Sequence, residues 1–285
     1  MLQNNMLLPA QLVPTGFALA SVFSWGTSDF LGGYASRRIN AFLLTVVVNA
    51  GGLLLMFTLA TTSHAPFPAG HSIVWMIAAG ISGGASLAIF FRALAMGRMG
   101  LTAPVAAVLG AAIPTVFSMA TEGLPSAVHI AGFLLAGIGI WLISRTEDGS
   151  SPEGIGLAVI AGVGFAGFYL CVRQAGSSSA FWIASFTRIG GLSITTAIVA
   201  LQRRFRELTR AALGWGVVTG CLDSLGTFLF VRASQTGRLD AAVVLSSLYP
   251  AVTVVLARLI LHEHFTRWRA AGILAALVAV PMIAA

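Results

Sequence analysis

Three ionisable residues, Asp29, Arg188 and Asp223, stand inside long apolar stretches of this chain. A charge surrounded by hydrocarbon is costly, so each is a functional candidate unless it serves only to hold a partner. Each also lies on a polar stripe at helical spacing. Ser21, Trp25 and Asp29 follow one another at intervals of four, as do Thr219, Asp223 and Thr227. Ser185 and Thr195 flank Arg188 on a comparable face, and the pairs Thr45–Asn49 and Ser82–Ser86 repeat the pattern on two further segments. Stripes of this kind cannot face lipid and must face one another or a wet cavity. The candidate lining set is Trp25, Asp29, Asn49, Ser86, Tyr169, Arg188, Asp223 and Tyr249. Tyr169 and Tyr249 could line the cavity, although single residues of this kind are more often packing elements or interface anchors.

The residue types define what such a cavity can hold. A guanidinium takes a carboxylate. A carboxylate beside Trp or Tyr takes an ammonium through charge and cation–π attraction. A carboxyl group in a lipid-enclosed site can also take and release protons, coupling movement of a solute to the proton gradient. Together these point to a small polar or zwitterionic solute. The structural alternative is that Arg188 pairs with one of the two aspartates and locks two helices together.

Other chemistries find little support. No Ser/His/Asp order, phosphate loop or ATP-binding element is visible. Glu122, His262, Glu263 and His264 sit near helix ends, and His262-Glu263-His264 offers too few ligands at suitable spacing for a metal. Cys171 and Cys221 both fall in apolar stretches and read as small core residues. No metal or cofactor is expected. Gly162, Gly164 and Gly167 form a GxGxxG string, but it lies within an apolar helix with no preceding strand, the wrong setting for a dinucleotide site.

The elements that position these residues are membrane helices. Of 285 residues, 57% are hydrophobic and 9% charged, and the mean hydropathy is +0.91. A soluble domain of this size needs far more charged surface. The net charge of +7 comes from arginine, with lysine absent. The arginines sit in pairs and small clusters between apolar stretches and form no single basic face, which argues against a nucleic-acid partner. A bilayer core requires about 20 apolar residues per helix. Ten spans are expected, near 15–36, 40–61, 73–95, 101–121, 127–144, 154–174, 180–201, 212–233, 240–261 and 268–285. Their connections are short, so neighbours run antiparallel. The first 14 residues carry no Lys or Arg, so no cleavable signal peptide is expected and the first helix would act as an uncleaved insertion signal.

A shift of 140 residues aligns the chain with itself. Trp75 falls on Trp215, Gly80 on Gly220, Arg92-Ala93 on Arg232-Ala233, and Gly97-Arg98 on Gly237-Arg238. The polar stretch Arg145 to Glu153 separates the halves, expected as units 1–146 and 152–285. Five helices per unit is an odd number, so the second copy must cross the membrane in the opposite sense, the inverted repeat found in secondary transporters. Loops with odd numbers hold twelve arginines and even-numbered loops three. The positive-inside rule then places odd loops in the cytoplasm and both termini outside.

The chain resembles the EamA-type transporters of the drug/metabolite transporter superfamily. The resemblance rests on Trp25-Gly26-Thr27-Ser28-Asp29-Phe30 in the first span, on Arg232-Ala233 and the stretch Ala241 to Pro250, and on Leu259 to Glu263, similar to the family's Leu-rich run closing in Gly-Glu-Arg. Here His262 stands for the Gly and His264 for the Arg, and Arg188 sits where members often carry Arg. The likeness covers nearly the whole chain. It implies an all-α membrane protein of ten helices from a duplicated five-helix unit. Two departures are that Gly110 occupies the position matching Pro250, and that the family is usually drawn with both termini cytoplasmic. The expectation is a transporter, not an enzyme, in the inner (plasma) membrane. It would export amino acids or related small polar metabolites, with the bilayer, the solute and possible protons as partners, as a monomer or homodimer. The competing reading is a membrane-embedded enzyme or a lipid flippase.

Overall fold

The computed structural model describes residues 7–97, 99–122, 126–144, 153–237, 239–262 and 266–284. Among them the chain is helical, with no strand. The helices are α1 (Leu7–Ala35), α2 (Ala41–Thr62), α3 (Gly70–Met96), α4 (Met99–Glu122), α5 (Ala127–Ser144) and α6 (Ile155–Gln174). They continue with α7 (Ala180–Leu201), α8 (Arg210–Thr236), α9 (Leu239–Ser246), α10 (Tyr249–Ile260) and α11 (Arg267–Ala284). Six described helical stretches are long and apolar enough to cross a membrane: α2, α3, α6, α7, α8 and the run Ala241–Ile260.

Local sequence explains several ends. The Asn40 side chain accepts from the Leu43 N–H at 3.1 Å, capping α2, and Thr209 does the same for the Ala212 N–H at the start of α8. Each satisfies a donor that has no partner inside its helix. One expectation needs correction and one is refined. The first helix begins at Leu7, well before residue 15, and carries Pro14 inside it. The span expected over 240–261 matches the apolar run Ala241–Ile260, but its helix is divided into α9 and α10 by a turn at Ser247–Leu248. Pro250 lacks an N–H, and its ring would clash with the Ser246 carbonyl in a continuous helix.

The surface is unlike that of a soluble fold: large apolar side chains are exposed, while hydroxyls are buried beside an apolar core. Ser28, Thr45, Thr195 and Thr219 are fully buried, whereas Leu54, Leu134 and Leu201 are 72%, 63% and 85% exposed. Apolar side chains on the outside and hydroxyls within suit a lipid solvent. Together with the six apolar stretches, this makes the chain a multi-pass membrane protein.

The helices pack in a regular scheme. α1 lies on α8 and α10, and α6 on α3 and α4. α2 lies against α7 and α8, and α3 against α7, while α5 pairs with α11. Glycine permits the closest crossings. A Cβ at Gly80 of α3 would stand 2.1 Å from the Thr187 carbonyl oxygen of α7, and one at Gly220 of α8 would stand 2.2 Å from the Val48 carbonyl oxygen of α2. The GxGxxG string of α6 does the same work. Cβ atoms at Gly162, Gly164 and Gly167 would meet the Ala106 carbonyl and the Ser86 and Ser82 hydroxyls at 2.7, 1.8 and 2.6 Å. These three glycines let α6 approach α4 and α3.

Candidate functional site

The geometry of the site starts from the seam between α1 and α8. Three α1 side chains donate to backbone carbonyls of α8: Ser24 to Leu222 at 2.7 Å, the Trp25 indole N–H to Asp223 at 3.1 Å, and Ser28 to Thr219 at 3.1 Å. Residues at positions 24, 25 and 28 share one helical face, so they form one continuous polar edge. Gly26 brings a second helix to α1. A Cβ there would stand 2.5 Å from the Tyr249 carbonyl oxygen, and Thr253 of α10 donates to the Gly26 carbonyl at 3.0 Å. The start of α10, with Tyr249, is therefore held beside Trp25.

These contacts border a partly open cavity of about 60 Å³. One water occupies roughly 10–15 Å³ on this measure, so the space holds a few waters or a small group. Seven of the eight residues expected from the sequence line it: Trp25, Asp29, Asn49, Tyr169, Arg188, Asp223 and Tyr249. Ser86 does not. Its hydroxyl donates to the Ser82 carbonyl at 2.7 Å, against α6 where Gly164 passes. A hydroxyl bonded to its own helix at a tight crossing is a packing element.

The charges divide into a pair and a single. Arg188 of α7 forms a buried salt bridge with Asp223 of α8 through Nη1. Its Nη2 donates to the Thr227 hydroxyl at 2.7 Å, and that hydroxyl donates to the Asp223 carbonyl at 3.0 Å. The Arg188 Nε is buried without a partner among the described residues, as is the Tyr249 hydroxyl. Asp29 is 5% exposed. Among the described residues it makes no hydrogen bond and no salt bridge. Asn49 is buried and uses its amide N–H on the Thr45 carbonyl at 2.9 Å.

Aromatic rings form the remaining wall. Trp25 lies 6.3 Å from Tyr169 and 6.4 Å from Tyr249 between ring centroids, the second nearly edge-on. Phe168 stands 5.4 Å from Tyr169. Phe165 and Phe168 of α6 line the cavity and were not among the expected residues. A signal for them exists: positions 165, 168 and 169 share one helical face with Tyr169, at the i, i+3, i+4 spacing. Gly80, Gly83 and Gly84 of α3 also line the space, at positions where a Cβ would meet Thr187, Phe168 and Gly191. Among the described residues no group of three or more His, Cys, Asp or Glu is placed to hold a metal ion. Glu263 and His264 lie outside the described residues.

Residues 152–285 match the EamA-like transporter family. A solved crystal structure of a protein shares the fold with a TM-score of 0.77 at 17% sequence identity, over 95% of this chain and 97% of the other. A comparison with curated proteins finds no match.

Proposed function

We propose that this chain, whose second half belongs to the EamA-like transporter family, is a secondary transporter of small polar metabolites such as amino acids or related compounds. It would work as an exporter by alternating access, in the inner (plasma) membrane of the cell. The observation that carries the reading is the buried carboxyl group of Asp29, without a hydrogen-bond or ion-pair partner among the described residues, in a cavity where helices of both halves meet. An unpaired ionisable group in such a place is retained at a cost in stability, which marks it for a solute or a proton.

The ten-span, inverted-repeat architecture, with units 1–146 and 152–285, belongs to the same proposal. The shift of 140 residues exchanges α1 with α6, α2 with α7 and α3 with α8. Under it the packing of α1 on α8 becomes that of α6 on α3, and α2 on α8 becomes α7 on α3. The Gly80 and Gly220 crossings exchange as well. In transporters of this design the solute site lies between the repeats, often at a broken helix. The cavity and the α9–α10 break at Tyr249 support that placement.

The competing reading, a membrane enzyme or flippase, needs acid, base or metal-binding groups near one surface. Arg188 and Asp223 instead stand at mid-helix in α7 and α8. The test is solute counterflow in proteoliposomes with the intact chain, Asp29→Asn and Arg188→Ala. Loss of flux in Asp29→Asn is expected. Full flux in both variants would sink the site assignment.

A further inference from the structure

We propose that a second cavity, at the arginine-bearing ends of α1, α2 and α3, binds the phosphate headgroup of an anionic phospholipid. Its volume is about 450 Å³, and it shares no lining residue with the central cavity. The site therefore stands or falls apart from the transport reading.

Three arginines from separate parts of the chain line it. Arg37 follows α1, Arg92 stands one turn before the end of α3, and Arg204 lies between α7 and α8. Among the described residues that line it none is acidic. Glu207 reaches Arg204 at 3.4 Å, but both side chains are half exposed, and such a pair contributes little. Arg92 makes no hydrogen bond and no ion pair among the described residues. Guanidinium groups gathered around one cleft concentrate a positive potential that draws anions.

The backbone adds donors of the same sense. Ala41 and Phe42 open α2 and line the cavity. The Asn40 side chain satisfies the Leu43 N–H, whereas the N–H groups of Ala41 and Phe42 have no partner among the described residues. The start of a helix carries partial positive charge and holds phosphate through such groups. Ser36 lines the same cavity, and its hydroxyl is buried without a partner among the described residues. Guanidinium, amide and hydroxyl donors together suit the oxygens of a phosphate.

Position decides the source of that phosphate. The cavity sits where α1 and α3 end and α2 begins, the level of lipid headgroups for helices that cross a bilayer. Ile39, Phe42 and Met96 give it an apolar rim, and Met96 is 47% exposed. A soluble phosphate has no use for that rim, whereas the first segments of acyl chains would lie on it. The three arginines belong to the arginine-rich connections that the positive-inside rule assigns to the cytoplasm. The cytoplasmic leaflet carries a negative surface potential, and basic pockets between helices on that side take phosphorylated headgroups.

The experiment follows melting of the purified full-length protein in a non-ionic detergent with added phosphatidylglycerol, phosphatidylcholine or inorganic phosphate, because a ligand of the native state raises the melting temperature. Phosphatidylglycerol alone should stabilise. Its affinity should weaken several-fold in Arg92→Gln and in Arg204→Gln, both at exposed positions where folding should survive. It should be unchanged in Arg206→Gln, which removes an equal charge from an exposed residue that does not line the cavity. Equal weakening in all three variants would mean diffuse attraction to the surface and would overturn the site. Stabilisation by inorganic phosphate equal to that by phosphatidylglycerol overturns the lipid assignment in favour of a soluble anion. Equal stabilisation by phosphatidylcholine, or none by phosphatidylglycerol, overturns the proposal on the unaltered protein.

Discussion

Arg188 on α7 is held by Asp223 on α8, with Thr227 one turn further along α8 closing the arrangement. The pair joins two helices that are adjacent in the chain, and each of its side chains is only 8% exposed. Its removal in halves should therefore cost more than its removal whole. Arg188→Ala leaves the Asp223 carboxylate buried and alone, and about 3–5 kcal/mol of stability should be lost. The double variant Arg188→Ala/Asp223→Ala should recover part of that loss. Thermal unfolding of the two single variants and the double variant, arranged as a cycle, measures the coupling. Strictly additive losses would mean that the pair does not act as a unit.

The helix crossings give a prediction of opposite origin, since nothing polar is involved. At Gly80 an added methyl group would run into the Thr187 carbonyl, and α3 and α7 would have to separate. Gly80→Ala should destabilise by about 1–3 kcal/mol, the usual result of overpacking a filled interior. Gly156, whose Cβ would meet nothing within 4 Å, is the control, and Gly156→Ala should leave the unfolding midpoint nearly unchanged. Equal effects at the two positions would contradict the crossing.

Much of this arrangement was legible in the sequence, and the reasons differ from residue to residue. Trp25, Asp29 and Asp223 stood out because polar groups at helical spacing have no place on a lipid-facing surface. Seven of the eight residues so identified line one cavity. Partner choice was not legible. Asp29 and Asp223 are equivalent suitors for Arg188 in one dimension, and the crossing of α7 on α8 decides between them. Ser86 shows the converse failure. It shares a stripe with Ser82, but the close approach of α6 at Gly164 turns that stripe toward packing. Phe165 and Phe168 were hidden because an aromatic in an apolar helix carries no mark of the side it faces. Pro250 was visible, yet a proline can bend a membrane helix or break it, and the neighbouring contacts settle which.

Trp25 links the aromatic wall to the charged pair, because its indole N–H donates to the backbone carbonyl of Asp223. Trp25→Phe keeps a ring and removes that bond. Hydrogen bonds between membrane helices contribute about 0.6 kcal/mol on average, so the unfolding midpoint should move little. Solute affinity should fall more than stability, as the ring loses its anchor and shifts within the cavity. Parallel measurement of the melting temperature and of the transport KM tests this. A large loss of stability with an unaltered KM would assign Trp25 to the seam alone.

Tyr249 lies on the cavity just after the break between α9 and α10, and Pro250 stands in the first turn of α10. Pro250→Ala restores an N–H and removes the clash with the Ser246 carbonyl, so α9 and α10 can fuse into one helix. Straightening rotates Tyr249 relative to α1, where Gly26 and Thr253 now hold the start of α10. The expected outcome is a protein at least as stable as the original, since a helix interior prefers Ala to Pro by about 3 kcal/mol. Its transport rate should be reduced tenfold or more. A variant that keeps its full rate would show that the break does not position Tyr249 for the solute. One that loses both rate and stability would show instead that the break is required for packing against α1.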